Sequence, residues 1–344
     1  MSAKTRSAKS AIPIGKVPPA LLRRLLDLPR KTCSDLVLPP ALGEDAAVVR
    51  IGRRLVAIGT DPITFPTPRP GFFAVHVNAN DIAVTGAVPS FFTLTVLMPP
   101  RSTERQIVDL VADAMQAADS LGIVLVGGHT EVTAAVRLAV VSVTMFGELR
   151  GRAPVRTGDG RPGDAVIQVN PLGIEGTAIL AAQHAERLAM RVGQGTVRRA
   201  ARLSIDPGIS VVRPALLAAS RLKVHAMHDP TEGGIATGLR EVALASGTGV
   251  RVREPDLIML PVTRRICAEL GVAPLGLISS GCLLLTVAER DAAPAVSALR
   301  RADFTAARIG SLTDCAGEFL LETANGQRQE LPCFAVDELA NRAV

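Results

Sequence analysis

The sequence predicts an α/β (α+β) protein of two domains, and three observations carry that reading. Its 344 residues, 48% hydrophobic and 20% charged, are enough for two sizeable soluble cores. A loop rich in Gly, Arg and Pro over residues 150–163 (RGRAPVRTGDGRPG) separates two halves. Each half alternates β-branched runs with apolar residues at helical spacing. The expected organisation is a basic N-terminal tail and helix (1–31), an N-terminal domain (32–150), a C-terminal domain (163–315) and a C-terminal extension (316–344).

Composition excludes several function classes. With nine Phe and no Trp or Tyr, the cores must be aliphatic, and few rings are left on which nucleic-acid bases could stack. The positive excess sits in residues 1–31, where eight Lys or Arg face only Asp27, so the body is near neutral and is not a nucleic-acid surface. The start itself, MSAKTRSAKSAIPIGK, reads as a solvated tail, with a binding arm as the alternative. Pro13, Pro18 and Pro19 break up the first apolar residues, so no signal peptide is expected and the location expected is cytoplasmic. Residues 82–100 are uncharged, but Gly86, Pro89 and three Thr divide them into a helix end and a strand, so no membrane partner is expected. The five cysteines are odd in number and form no CxxC pair, which predicts reduced, mostly buried thiols and neither a disulfide framework nor a zinc site.

In chain order, VPPALLRRLLDL (17–28) predicts a short amphipathic helix entered through prolines. LGEDAAVVRI (42–51) and LVAIGT (55–60) predict a hairpin turning near Arg53, with Asp45 facing Asp61 at its open end. Two such carboxylates repel unless a cation lies between them, although Asp61-Pro62 also reads as a turn and Gly43-Glu44-Asp45 as a loop. A helix follows over 101–121. A strand over 123–126 is expected to stop at Gly127-Gly128-His129-Thr130-Glu131, where two glycines allow close approach to a ligand. His129 is there either structural or a phosphate or metal contact. Strands are predicted over 137–147, 164–169 and 282–287, and helices over 178–191 and 235–246, the latter with Asp229 or Thr231 as N-cap. The glycine-rich turn over 170–177 matches neither a P-loop nor a dinucleotide fingerprint.

The segment VHVNANDIAVTGAVPS (75–90) organises the rest. Asp81 is its one charged residue, and no other Asp, Glu, Lys or Arg lies between Arg69 and Arg101. Val75, Ala79, Ile82, Ala83 and Gly86 recur on one helical face, while Asn78, Asp81 and Thr85 share a polar stripe. Burying that carboxylate unpaired costs several kcal/mol. It therefore needs a partner such as a metal ion, unless it caps the helix or faces water.

Taken together, GEDAAVV, GTDPI, VNANDIAVTGAVP, GGHTEVT, GDAVIQV with PLGIEG, HDPTEGGIATGLREVA and SSGCLLL resemble, in this order, the aminoimidazole ribonucleotide (AIR) synthase superfamily. The resemblance runs from about residue 15 to about residue 310. It implies a two-domain fold whose N-terminal sheet pairs with a partner's into a dimeric barrel, with a C-terminal α/β sandwich. It also implies ATP and Mg²⁺ as cofactors in a cleft built of acids and glycine turns. By resemblance, the metal ligands are Asp45, Asp61, Asp81 and Asp229, and the catalytic residues are Asp45, Asp81 and Asp229. The nucleotide is held by Gly43, Asp45, Asn78, Gly127, Gly128, His129, Thr130 and Asp229. Hard cations are needed because carboxylates cannot meet phosphates directly.

The function implied is ATP-dependent phosphorylation that activates a carbonyl or amide oxygen of a small molecule or a protein-borne group. The alternatives are a small-molecule kinase resembling thiamine-monophosphate kinase, or a nucleotide-binding partner protein without catalysis. The pattern is most similar to the AIR-synthase-related, carbamoyl-dehydratase-like group, with three departures. The chain ends Asn341-Arg342-Ala343-Val344, where the carbamoyl dehydratase carries a Pro-Arg-Ile-Cys tail; the nearest thiol here is Cys333. Lys16 resembles the N-terminal lysine of selenophosphate synthetase but has no thiol beside it. His129 stands where AIR synthase and the kinase carry an acid. A homodimer is expected because Val48, Val49, Val56, Ile58, Val124 and Val126 offer more apolar strand surface than one domain's helices would cover.

Overall fold

The computed structural model describes Ile12, residues 15–334 and residues 336–340. Most of the N-terminal tail and the last four residues lie outside that range. The first half runs α1 (Pro19–Leu26), β1 (Leu36–Leu38), β2 (Ala47–Ile51), β3 (Arg54–Ile63), α2 (Pro70–Val84), β4 (Ala87–Met98), α3 (Glu104–Leu121), β5 (Val124–Val132) and β6 (Val140–Leu149). Its strands form one sheet in the order β1-β2-β3-β6-β4-β5. The hairpin turns through Gly52 and Arg53, with Ile51 paired to Arg54, so the residues before β2 come up beside the far end of β3.

The second half continues with β7 (Asp164–Val169), α4 (Ile174–Gln183), α5 (Ala185–Val192), α6 (Gln194–Ala201), α7 (Val212–Arg221), β8 (Val224–His228) and α8 (Gly234–Ala245). It ends with β9 (Gly249–Arg253), α9 (Pro261–Leu270), β10 (Leu283–Ala288), α10 (Glu289–Arg301), β11 (Ala306–Thr313), β12 (Phe319–Glu322) and β13 (Arg328–Glu330). The second sheet has the order β13-β12-β9-β11-β7-β10-β8. Residues expected as an extension from 316 thus supply its two terminal strands. β7 is central and wholly buried, its residues alternating between a core with α7 and α10 and one with α8.

The helix expected to be two-faced is not. Every residue of α2 from Gly71 to Val84 is buried, because the first sheet, α3 and α7 surround it. Its two asparagines bond backbone: Asn80 donates to the Ile209 carbonyl (2.9 Å) and accepts from Val211 N–H (2.8 Å), tying α2 to the second half. α2 therefore contributes to both halves' packing, with Ala79 and Ile82 in a core that continues to α4 and Ala83 and Val84 in the core of the second sheet.

Four further expectations change. The helix expected from residue 101 starts at Glu104, where Thr103 and Gln106 form a reciprocal capping box. The helix over 178–191 breaks at His184 into α4 and α5. α8 opens on Gly233 rather than on Asp229 or Thr231; its first free N–H, on Gly233, is taken by Asp337 Oδ2 at 2.7 Å. The cysteines are free, but Cys33, Cys315 and Cys333 are exposed and only Cys267 and Cys282 are buried.

Candidate active site

Four acids predicted from separate segments come together where the halves meet. Asp45 precedes β2, Asp61 lies on β3, Asp81 on α2, and Asp229 directly after β8. At Gly59 on β3 the hairpin and α2 are in van der Waals reach: a Cβ there would stand 3.6 Å from Asp81 Cβ and 3.5 Å from the Asp45 carbonyl oxygen. Asp81 is 4% exposed and its carboxyl is pushed well above the usual range, by burial first and then by Asp61, Asp229 and Asp45. Asp61 is raised to about 6, mainly by burial, against the pull of Lys16. Asp229 is raised well above the ordinary carboxyl range by burial and by Asp45. Both of its carboxylate oxygens are buried without a hydrogen-bond partner.

The surrounding residues hold these acids in place. Asn78 accepts from Asp61 N–H (2.8 Å) and donates to the Asp61 and Ala74 carbonyls (3.1 and 2.8 Å). Its polar atoms are thereby engaged with backbone, so in this structure it fixes Asp61 rather than facing a ligand. Gly43 turns with φ +82° and packs against Ala245, with its Cβ position 3.5 Å from the Glu241 carbonyl. His228 bridges two carboxylates, Nδ1 to Asp45 Oδ2 at 2.9 Å and Nε2 to Glu241 Oε2 at 3.0 Å. Burial alone would lower its pKa, but Asp45 and Glu241 outweigh it and hold the ring as an imidazolium. Atoms of Asp45, His228 and Asp229 lie within 4.8 Å of one another, the spacing of a metal site. With both ring nitrogens already occupied, His228 serves there as a fixed cation that orients Asp45.

The glycine turn is corrected. Gly127, Gly128, His129, Thr130 and Glu131 do not leave the sheet; β5 runs through them, parallel to β4 with a bulge at Phe92/Thr93, as an exposed edge. Gly128 is needed because a Cβ would collide with the Leu94 backbone of β4. His129 is 64% exposed in its side chain and pairs with Glu131 at 3.2 Å. Among the described residues, no hydrogen bond or ion pair joins these residues to the four acids.

Four residues of the cluster carried no assigned role in the sequence reading: His228, Glu232, Glu241 and Lys16. The first two stand inside HDPTEGG, and their position beside Asp229 was the available signal. Glu241 lies seven residues beyond Gly234, inside the quoted stretch HDPTEGGIATGLREVA and on the helical face that reaches His228. Lys16 Nζ reaches Glu232 Oε2 (3.1 Å) and Thr231 Oγ1 (3.2 Å). A second buried acid stands nearby. Glu175 in the first turn of α4 is 0% exposed, with neither oxygen hydrogen-bonded, and is pushed to about 8 by burial, with Glu232 and Asp337 adding to it against Ser280.

Comparison with known proteins bears on the fold and the family. The carbamoyl dehydratase HypE of Rhodobacter capsulatus is 28% identical over 319 residues, covering 88% of this chain and 90% of its own. A crystal structure of the hydrogenase maturation protein HypE in complex with ATP superposes with a TM-score of 0.70 at 28% identity, covering 91% of this chain and 94% of its own. Thiamine monophosphate kinase from Aquifex aeolicus shares the fold, with a TM-score of 0.65 at 17% identity over 90% of this chain and 97% of its own. The AIR synthase related N-terminal domain matches residues 43–149 and the C-terminal domain matches 161–321. With both domains in order and the acids at their junction, the chain belongs to the AIR synthase related protein family.

Proposed function

We propose that the protein is an ATP-dependent enzyme that activates a carbonyl or amide oxygen of a small molecule or protein-borne group by phosphorylation, with Mg²⁺ held by Asp45, Asp61, Asp81 and Asp229. One observation carries this reading: the two buried, unpartnered oxygens of Asp229 beside three further carboxylates. Uncompensated buried carboxylates are costly, and hard oxygen donors gathered in one place suit a hard divalent cation. The resemblance to an ATP-complexed structure supports the nucleotide.

Bound MgATP supplies a phosphoryl group that turns a poorly leaving oxygen into a good leaving group. The chain's residues supply position and charge. Asp81 and Asp229 present acceptor oxygens from a buried helix and the end of a strand, elements that hold them rigidly. His228 fixes Asp45 through one nitrogen and is fixed by Glu241 through the other. Asn78 sets the backbone at Asp61. Incubating the protein with MgATP and candidate amides or carbamoyl compounds, and identifying both ADP and the modified product, tests the reading. Dehydrated or substituted product with free phosphate is expected. A stable phosphorylated product instead identifies a kinase, and no nucleotide consumption with any candidate defeats the enzyme reading.

We also propose a homodimer through the first sheet. Val124, Val126, Val132 and Phe91 are each at least 50% exposed on the β5 edge and the adjoining strand, and Val49, Val56 and Ile58 are only half-buried on the outer face. Val48, expected among these, is instead fully buried under the helices. An exposed edge strand of nine residues that carries these apolar side chains invites pairing with a second copy. Such an assembly is also how Gly127, Gly128, His129 and Thr130 would reach a nucleotide, since within one chain they stand apart from the acids. Sedimentation at micromolar concentration is expected to give twice the chain mass, and Val126→Lys is expected to give monomers with an unchanged fold. A parent that sediments only as a monomer removes the dimer and the role of β5 with it.

A further inference from the structure

We propose that Lys16 is a tethered cation that screens the acid cluster when no divalent metal is bound and is exchanged for Mg²⁺ when one arrives. The inference rests on the metal-binding reading above and adds a regulatory element to it. Lys16 lies outside both family domains, just ahead of α1, yet its ammonium stands 3.1 Å from Glu232 and 3.2 Å from Thr231. Glu241, Asp61 and Asp45 act on the same charge. It hydrogen-bonds none of Asp45, Asp61, Asp81 or Asp229, so it offsets their repulsion without occupying the oxygens a metal would use.

Among the described residues, two cations face the cluster, and they differ in kind. His228 is 3% exposed and held at both nitrogens, so it cannot withdraw. Lys16 has a side chain 53% exposed on a flexible four-carbon stem, so it can swing into solvent without disturbing a core. Burial of its surroundings would lower its pKa, but Glu232, Glu241, Asp61 and Asp45 outweigh that and keep it charged. A divalent ion arriving among the same acids repels the ammonium while replacing its screening, so the two antagonise each other.

Mg²⁺ titration by calorimetry without nucleotide, on the parent, Lys16→Met and Lys16→Arg, tests this. Lys16→Met keeps the stem and loses the charge. It is expected to bind Mg²⁺ about ten-fold more tightly than the parent. Its metal-free form should melt below the parent's, and saturating Mg²⁺ should close the gap. Lys16→Arg is expected to keep the parental affinity. A Lys16→Met affinity within two-fold of the parent, or weaker, overturns the exchange, as does an equal shift in both variants. ATP consumption, measured separately, keeps the two readings apart. A parent that binds Mg²⁺ yet consumes no ATP defeats the enzyme reading alone, whereas equal affinities in a protein that consumes ATP defeat the Lys16 exchange alone. A parent that binds no Mg²⁺ overturns both.

Discussion

Asp81→Asn is expected to make the metal-free protein more stable while reducing MgATP turnover by at least about 100-fold. The two effects share one cause. Asp81 is buried on α2 and feels Asp61, Asp229 and Asp45, so its ionised form is disfavoured in the folded chain. A carboxyl raised above its unfolded value costs nothing at acid pH, and its cost grows as pH rises through that window. Asn has nearly the same size and carries no charge. The gain is therefore expected to be negligible near pH 4 and to reach about 1–3 kcal/mol at pH 8, a rise of several degrees in melting temperature. The metal loses a charged ligand in the same substitution, so the stabilisation that MgATP confers should largely disappear. Melts of parent and variant, with and without MgATP at both pH values, check it. A ligand-induced shift equal to the parent's would make Asp81 a purely structural residue.

Glu175→Gln should stabilise the protein in a pH-dependent way with no loss of Mg²⁺ affinity. Its carboxyl, pushed to about 8 chiefly by burial, binds a proton in the folded state that the unfolded chain releases near the ordinary carboxyl range. Between those two values the folded state holds more protons, so stability falls as pH rises, and the full cost is present above about pH 8. Gln keeps the shape and cannot ionise. Parent and variant should denature alike in urea near pH 4 and differ by a few kcal/mol at pH 9. Asp337 and Asp61, each raised to about 6, titrate in both proteins, so the difference reports Glu175 together with its repulsion from Asp337. Equal stability at pH 9 would mean that the carboxylate finds a partner on ionising.

Local elements were legible where periodicity and punctuation agreed. The strand over 164–169 is β7 to the residue, and the hairpin around Arg53 turns where its Gly and Arg residues said it would. The glycine pair at 127–128 misled because sheet context outranked it: pairing with β4 carries the chain straight through residues whose flexibility suggested a turn. The polar stripe of α2 misled for a similar reason. Asn78 and Thr85 look solvent-facing in a helical pattern, yet each bonds backbone in the interior. The site itself was not readable from spacing, since Asp45, Asp61, Asp81 and Asp229 span 185 residues of chain. Only the ordered set of motifs brought them together. Lys16 shows its place only in the folded chain, because it joins the cluster by proximity across segments, and no short stretch encodes that.

The burial of α2 on every side has a consequence for biosynthesis. When the first 150 residues have left the ribosome, the partners of Ala83 and Val84 in the second core, including Val211, Ala215 and Ala218, have not yet been made. Asn80 likewise waits for Ile209 and Val211. The nascent first half must therefore present an apolar helix face to solvent until some seventy more residues emerge, a window in which it can associate wrongly or recruit a chaperone. The two halves are distinct in their sheets but are obliged to mature together, which makes the late arrival of α7 the step that commits the chain.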